Sequence, residues 1–389
     1  MKPILTPSII YTGVDDQSGH LFEQQYPLTH GMSYNSYVIL DEHIAIMDSV
    51  EERRGDQWIR QIEEATCGHK PTFLVVHHME PDHSASILKA LDRWPELTIV
   101  ASAQAIGMLH RFFPGHDFSG CTRAIKDGDT LSLGSHNLTF YSAPMVHWPE
   151  VMVSVESSEK VLFSSDAFGK FGALQYDDDW IGEARRYYTN IVGKYGPQMS
   201  RLLDKLEVPA IDIIAPLHGP VLRSELDKYV GLYRKWSTYT PETRGVLVAY
   251  ASIYGGTAEA AMRIAEMLRS TDAGEVTVID LCSCDQSEAV AQAFRLSGMV
   301  LAAPTYDAGI YPAMHDFIYH LSIKGLRNRL VGIVENGSWA PTAGRLMRNM
   351  LHEMPGMVIA EPMVTIRSRL TDSDIDHLRE LASNMAAQP

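Results

Sequence analysis

Phe73-Leu-Val-Val-His-His-Met-Glu-Pro-Asp-His83 runs from four apolar residues straight into His78-x-Glu80-x-Asp82-His83. The apolar run reads as a buried strand. Four metal-binding side chains within the six residues 78–83, right after the run, cannot all sit in an apolar core, because each would need a polar partner. A solvated turn is the plain alternative for one such cluster. Three further donors stand just past the ends of other apolar runs. His147 follows 138–142, Asp166 follows 160–163 and His218 follows 211–214. Strand ends of one sheet can converge on one edge, so these seven residues can form a single site. Four imidazoles and three carboxylates exceed the needs of one tetrahedral ion. Two divalent ions bring +4, which three carboxylates largely offset, and a shared carboxylate suits such a pair.

Outward from that segment the chain divides in two. Its 389 residues are too many for one ordinary core. Strand-like runs at 72–76, 97–101, 138–142, 160–163 and 211–214 mix with a few helices, and 222–236 reads as a helix. The polar stretch 237–244 is the best linker, so the expected domains are 1–244 and 245–389. Strands at 246–251, 275–281, 299–303, 330–334 and 358–366 then alternate with helices at 258–268, 314–321, 342–354 and 372–387, the last capped by Thr371. That alternation predicts a doubly wound five-stranded parallel sheet with ligands at the carboxyl ends of its strands.

Three loops at those ends carry binding chemistry. Ser252-Ile-Tyr-Gly-Gly-Thr257 (Ser252, Ile253, Tyr254, Gly255, Gly256, Thr257) opens a helix, where free N–H groups and the helix dipole favour an anion. Pro304, Thr305, Tyr306, Asp307, Ala308 and Gly309 follow the third strand, and Asn336, Gly337, Ser338 and Trp339 the fourth. Any one of these loops is ordinary turn chemistry; three at consecutive strand ends are not. The first lacks the patterns of a nucleotide P-loop and of a dinucleotide fold.

A net charge of −15 argues against nucleic acid and leaves a bound phosphate to backbone N–H groups. No stretch approaches the ~20 apolar residues of a membrane span, and the N-terminus is a poor signal peptide, so a cytoplasmic location is expected. Cys67, Cys121, Cys282 and Cys284 form no Cys-x-x-Cys pair and are expected to be reduced, mostly buried thiols. His77 should point away from His78 on an extended segment. His136 and the other remaining histidines have no evident ligand-like company.

His78-x-Glu80-x-Asp82-His83 with separate His147, Asp166 and His218 resembles the metallo-β-lactamase-fold domain of flavodiiron proteins. Ser33-Tyr-Asn-Ser-Tyr37, His147-Trp-Pro and Arg185-Arg-Tyr-Tyr-Thr-Asn190 resemble the same family. The 252–257 loop is similar to the phosphate loop of flavodoxins, with Gly256 where Asn is common, a departure expected to cost one side-chain contact. The resemblance spans about residues 5–385. It implies an αββα sandwich followed by a flavodoxin-like domain, with two iron ions and FMN as cofactors. One iron would take His78, Glu80 and His147 and the other Asp82, His83 and His218, with Asp166 bridging. In zinc hydrolases of the fold a histidine usually matches Glu80, and a carboxylate there favours iron. The implied activity is reduction of dioxygen to water, or of nitric oxide to nitrous oxide. Tyr195 and His30 are candidates to donate a proton beside the irons. A separate electron donor, such as rubredoxin or a reduced deazaflavin, and a head-to-tail homodimer or higher even oligomer are also implied. The rival expectations are a dinuclear zinc hydrolase with an attached flavodoxin-like domain, and a non-catalytic flavoprotein.

Overall fold

Strands of three to six residues build the two sheets of the N-terminal half, and the central ones are buried on both faces. The computed structural model describes residues 5–176 and 179–387. Contacts divide the chain into two compact units. One holds the residues up to Tyr188 together with Pro197–Arg234; the other holds Thr189–Gly196 and the residues from Lys235 onward.

In the first unit one sheet has the order Ile9–Tyr11, Tyr37–Ile39, Ala45–Met47, Phe73–Val76, Thr98–Ser102, Thr122–Ile125. The second has the order Thr130–Ser132, Asn137–Ser142, Met152–Glu156, Val161–Phe163, Ile213–Ala215. Tyr37, Met47, Val75 and Val100 of the first meet Leu138, Phe140, Val161 and Phe163 of the second in one core. The alternate residues Val38, Ile46, Leu74 and Ile99 are buried on the other face. The two sheets therefore face each other as in an αββα sandwich. Asn137–Ser142 and Val161–Phe163 are each antiparallel to Met152–Glu156, and Ile213–Ala215 is parallel to Val161–Phe163. Three strands of this sheet thus end at the same edge.

The second unit is a parallel sheet in the order Glu275–Asp280, Thr243–Tyr250, Leu296–Tyr306, Leu330–Asn336, with Val358–Ile359 and Val364–Ile366 sharing the fifth position. One apolar cluster lies under helices Gln286–Arg295, Pro312–Ile323 and Ala343–His352, and another under Gly256–Arg269 and Asp372–Ala386. This is the doubly wound arrangement expected. Thr371 caps the last helix in a reciprocal capping box with Asp374.

Several local expectations need correction. Helix Gln286–Arg295, capped by Asp285, was not anticipated from the sequence. The helix expected at 222–236 begins at Leu226, since Leu222 bridges Ile214 and Glu225 takes a positive φ of 53°. The polar stretch at 237–244 is structured: Trp236 Nε1 donates to Glu242 at 2.6 Å, and Thr243 already belongs to a strand. The last strand is two short pieces on either side of Glu361-Pro362. Cys67 and Cys282 are exposed and Cys121 and Cys284 half-buried, so the thiols are not a buried set. Among the described residues no helix is long and apolar enough to cross a membrane.

Candidate metal centre and cofactor pocket

The strand Phe73–Val76 ends two residues before His78, and Pro81–Ser84 then turns into a short helix that carries Asp82 and His83. Asp166 and His218 follow the parallel neighbours Val161–Phe163 and Ile213–Ala215, and His147 follows Asn137–Ser142. Met145 and Ser165 take positive φ values of 66° and 53° in the turns that aim His147 and Asp166.

All seven side chains converge, in two groups. His78, Glu80, His147 and Asp166 present donor atoms within 4.8 Å of one another, as do Asp82, His83 and His218. Asp166 links them. Its Oδ2 lies 3.0 Å from His147 Nε2 and 3.4 Å from His78 Nε2, while its Oδ1 lies 3.3 Å from His83 Nε2 and 3.8 Å from His218 Nε2. Glu80 Oε2 lies 2.9 Å from His147 Nε2, and Asp82 Oδ2 lies 3.3 Å from both His83 and His218. Both oxygens of Asp166 and of Asp82 are buried without a hydrogen-bond partner. Buried carboxylates without donors, set among imidazole nitrogens, are what a pair of cations would satisfy.

The imidazoles are oriented from behind. His78 Nδ1 donates to Glu150 at 2.8 Å, and the same oxygen accepts the Met79 N–H at 2.9 Å. His218 Nδ1 donates to the Ser33 carbonyl at 2.7 Å. With hydrogen on Nδ1, both rings turn an Nε2 lone pair to the centre. Asn35 donates to the carbonyls of Pro216 and Gly219, and the Tyr37 hydroxyl to Pro216, which fixes the His218 loop. Burial alone would lower the His147 pKa, but Asp166 and Glu80 push it up to about 9. Asp166, despite its burial, is held well below the usual carboxylate range by His78, His147 and His83.

In the second unit a cavity of about 530 Å³ opens at the carboxyl ends of the parallel strands. All the loop residues singled out from sequence line it except Gly255, Tyr306 and Gly309. Gly255 instead caps helix Gly256–Arg269 at a φ of 88°, where a side chain would be strained. Tyr306 turns to an edge-on contact with Tyr311 at 5.6 Å. Ala340, Ser368 and Arg369 also line the cavity.

Residues 32–219 match the model of the ODP family of beta-lactamase-like domains. A nitric oxide reductase of Moorella thermoacetica is 27% identical over 99% of this chain and 98% of its own length. A rubredoxin-oxygen oxidoreductase of Megalodesulfovibrio gigas is 28% identical over 92% of this chain and 90% of its own. The fold is that of the flavodiiron protein from Giardia intestinalis, with a TM-score of 0.92 at 21% identity over 99% of this chain and 96% of that one. In fold, and in sequence over nearly its whole length, the chain is similar to these proteins.

Besides Ala340 and Ser368 of the cavity, sequence reasoning missed Tyr187, Glu150 and Arg369. Tyr187 is fully buried, its ring 5.5 Å from that of His218, and its hydroxyl has no hydrogen-bond partner. Burial, and then the charges of Asp166, Asp82 and Glu80, raise its pKa, so it stays protonated. Glu150 was missed because a Glu after His-Trp-Pro carries no ligand pattern of its own. Arg369 stands after the fifth strand, by the same strand-end rule that found the other loops, and adds a cation to a pocket expected to rely on backbone N–H groups. His30 is half-buried and stacked on Tyr176 at 4.4 Å. Tyr195 sits in a short 3-10 turn of the second unit, beneath the Lys194 ammonium. His77 is buried, its Nδ1 donating to Asp48 at 2.6 Å and its Nε2 accepting from the Ser154 hydroxyl at 2.8 Å, away from the centre as expected.

Glu150→Gln keeps an acceptor for His78 but removes the charge that raises the basicity of its ring. Metal retained after a chelator challenge is expected to fall about tenfold. Unchanged retention would reduce Glu150 to a packing residue.

Proposed function

We propose that this chain reduces dioxygen, nitric oxide or both, with electrons passed from FMN in the 530 Å³ cavity to two iron ions held by the seven convergent residues. The observation that carries the reading is Asp166, with one unsatisfied oxygen toward each imidazole group. His78, Glu80 and His147 would hold one ion and Asp82, His83 and His218 the other. Glu80 supports iron over zinc at the first position, since a carboxylate hardens the donor set. When bound, the irons and the flavin supply four electrons in all, enough to take dioxygen to two waters. The relatives named above are a nitric oxide reductase and a rubredoxin-oxygen oxidoreductase, and neither favours the zinc-hydrolase alternative.

The di-iron domain is taken as residues 1–244 and the FMN domain as 245–389. We place the protein in the cytoplasm, fed by a separate donor such as rubredoxin or a reduced deazaflavin, as a head-to-tail homodimer or higher even oligomer. Sedimentation that finds a fully active monomer would remove the last of these.

Proton supply during turnover is assigned to Tyr187, whose buried hydroxyl has no hydrogen-bond partner and whose ring lies 5.5 Å from that of His218. Tyr187→Phe is expected to lower gas turnover by about tenfold with metal content unchanged. In the same series Tyr195→Phe and His30→Gln test the donors that sequence favoured. A fall of similar size in either, with none in Tyr187→Phe, assigns the proton to that side chain instead.

The function itself is tested on one sample. Near two irons and one FMN per chain, followed by reoxidation with either gas faster than free FMN, is the expected result. Two zincs with esterase turnover, or an iron-loaded protein inert to both gases, would overturn it.

A further inference from the structure

The second sheet of the first unit carries another convergent set at its opposite end. Strand Asn137–Ser142 leads toward His147, so its start lies about 17 Å from that end at the usual rise per residue. His136 immediately precedes this strand, Glu156 closes strand Met152–Glu156, and Glu159 follows in the next turn. One donor atom from each lies within 4.8 Å of the others.

Two features separate this set from an ordinary surface cluster. His136 and Glu156 are 7% and 0% exposed, and His136 Nδ1 is fully buried with no hydrogen-bond partner. Glu156 Oε1 lies 3.0 Å from that nitrogen, yet out of line for a hydrogen bond. Close donor atoms of an imidazole and carboxylates that do not bond one another are also what Asp166 and its imidazoles display. The set is held by the backbone as well. Glu156 accepts the N–H groups of Ser158 at 2.8 Å and Glu159 at 2.7 Å, and Asp41 accepts that of His136 at 2.6 Å. The Thr6 hydroxyl donates to Glu159, which brings the N-terminal segment to the same place.

We propose that His136, Glu156 and Glu159 form a third metal site, separate from the di-iron centre, that takes a divalent transition ion such as zinc. Two carboxylates balance the charge of one such ion. The imidazole selects against magnesium and calcium, which take oxygen ligands. Three protein ligands leave a fourth position for water or the Thr6 hydroxyl. The ion ties the 133–136 turn, the 157–160 turn and the N-terminal segment together, so its role is structural. Because it binds the folded chain, it raises thermal stability, by an amount that grows with the logarithm of its free concentration above the dissociation constant.

The test uses the full chain loaded with iron and flavin, titrated with zinc by calorimetry, with metal content measured after desalting. The wild type is expected to take up one zinc per chain while keeping its iron, and to melt higher for it. Glu159→Gln, an isosteric change at a half-buried turn, and His136→Gln are each expected to weaken that uptake at least tenfold. Both should leave iron content and gas turnover unchanged and lose the zinc-dependent rise in melting temperature. No zinc uptake by the wild type, or equal uptake by both variants, overturns the proposal. Loss of iron along with zinc in Glu159→Gln overturns it too, since the site would not be separate.

Discussion

Asp166→Asn is expected to lower gas reduction on the order of a thousandfold, with less than half the metal of the wild type retained. The aspartate faces both groups of the centre, one oxygen to His78 and His147 and the other to His83 and His218. An asparagine has one oxygen and one NH2 group, so it can serve one side and must turn a donor toward the other. It also removes one of three carboxylates from a pocket that has to balance +4, a charge that cannot be left uncompensated at such burial. The imidazoles lose their stabilising partner at the same time. His147 is pushed up to about 9 by Asp166 and Glu80 against its own burial, and Asp166→Asn removes part of that support. Flavin content serves as the control for folding, because the cavity is lined entirely by residues of the other unit. A variant that keeps its flavin and loses metal and turnover fits the assignment. One that keeps full metal and wild-type rates would show that Asp166 bridges nothing.

What could be read in the sequence follows a physical rule. Seven polar donors directly after apolar runs are conspicuous because the chain has no other reason to put imidazoles and carboxylates at the end of a buried strand. The same rule found most of the flavin-side loops. It missed Arg369 only because the reading stopped at the fourth strand, and it missed His136 because that residue stands at a strand's start. Tyr187 and Glu150 lie beyond it altogether. Each is a common residue, on helix Trp180–Ile191 and in the loop after His147, and only tertiary packing turns it to the centre. The 33–37 segment stood out by resemblance alone, and the structure supplies its reason: Ser33, Asn35 and Tyr37 bind the backbone around His218. Alanine-rich Gln286–Arg295 escaped as well, although Ala289, Val290, Ala293 and Phe294 recur at helical spacing on its buried face.

Gly256 is a case where the structure reverses the meaning of a sequence difference. Against the flavodoxin loops it resembles, glycine here looks like the loss of an asparagine contact, so Gly256→Asn would be expected to tighten flavin binding. The geometry predicts the contrary. A Cβ at Gly256 would lie 2.2 Å from the Ser368 carbonyl oxygen and 3.1 Å from Asn336 Nδ2. That carbonyl is not free to move. Asn336 grips Ser368 from both sides, accepting its N–H at 3.0 Å and donating to its oxygen at 3.2 Å, and the Ser338 hydroxyl bonds that of Ser368. Any side chain at 256 must therefore push aside the 368–369 loop and drag Asn336 and Ser338 with it, and all of these line the cavity. Overpacking of this kind costs up to about 3 kcal/mol, which corresponds to roughly a hundredfold in flavin affinity. Flavin dissociation constants from fluorescence quenching measure it, with Gly256→Ala as the decisive companion. The clash comes from Cβ itself, so alanine is expected to lose nearly as much as asparagine, with metal content untouched in both. If asparagine instead binds flavin more tightly than glycine while alanine binds it less, the 368–369 loop yields and the missing contact was the true cost of Gly256.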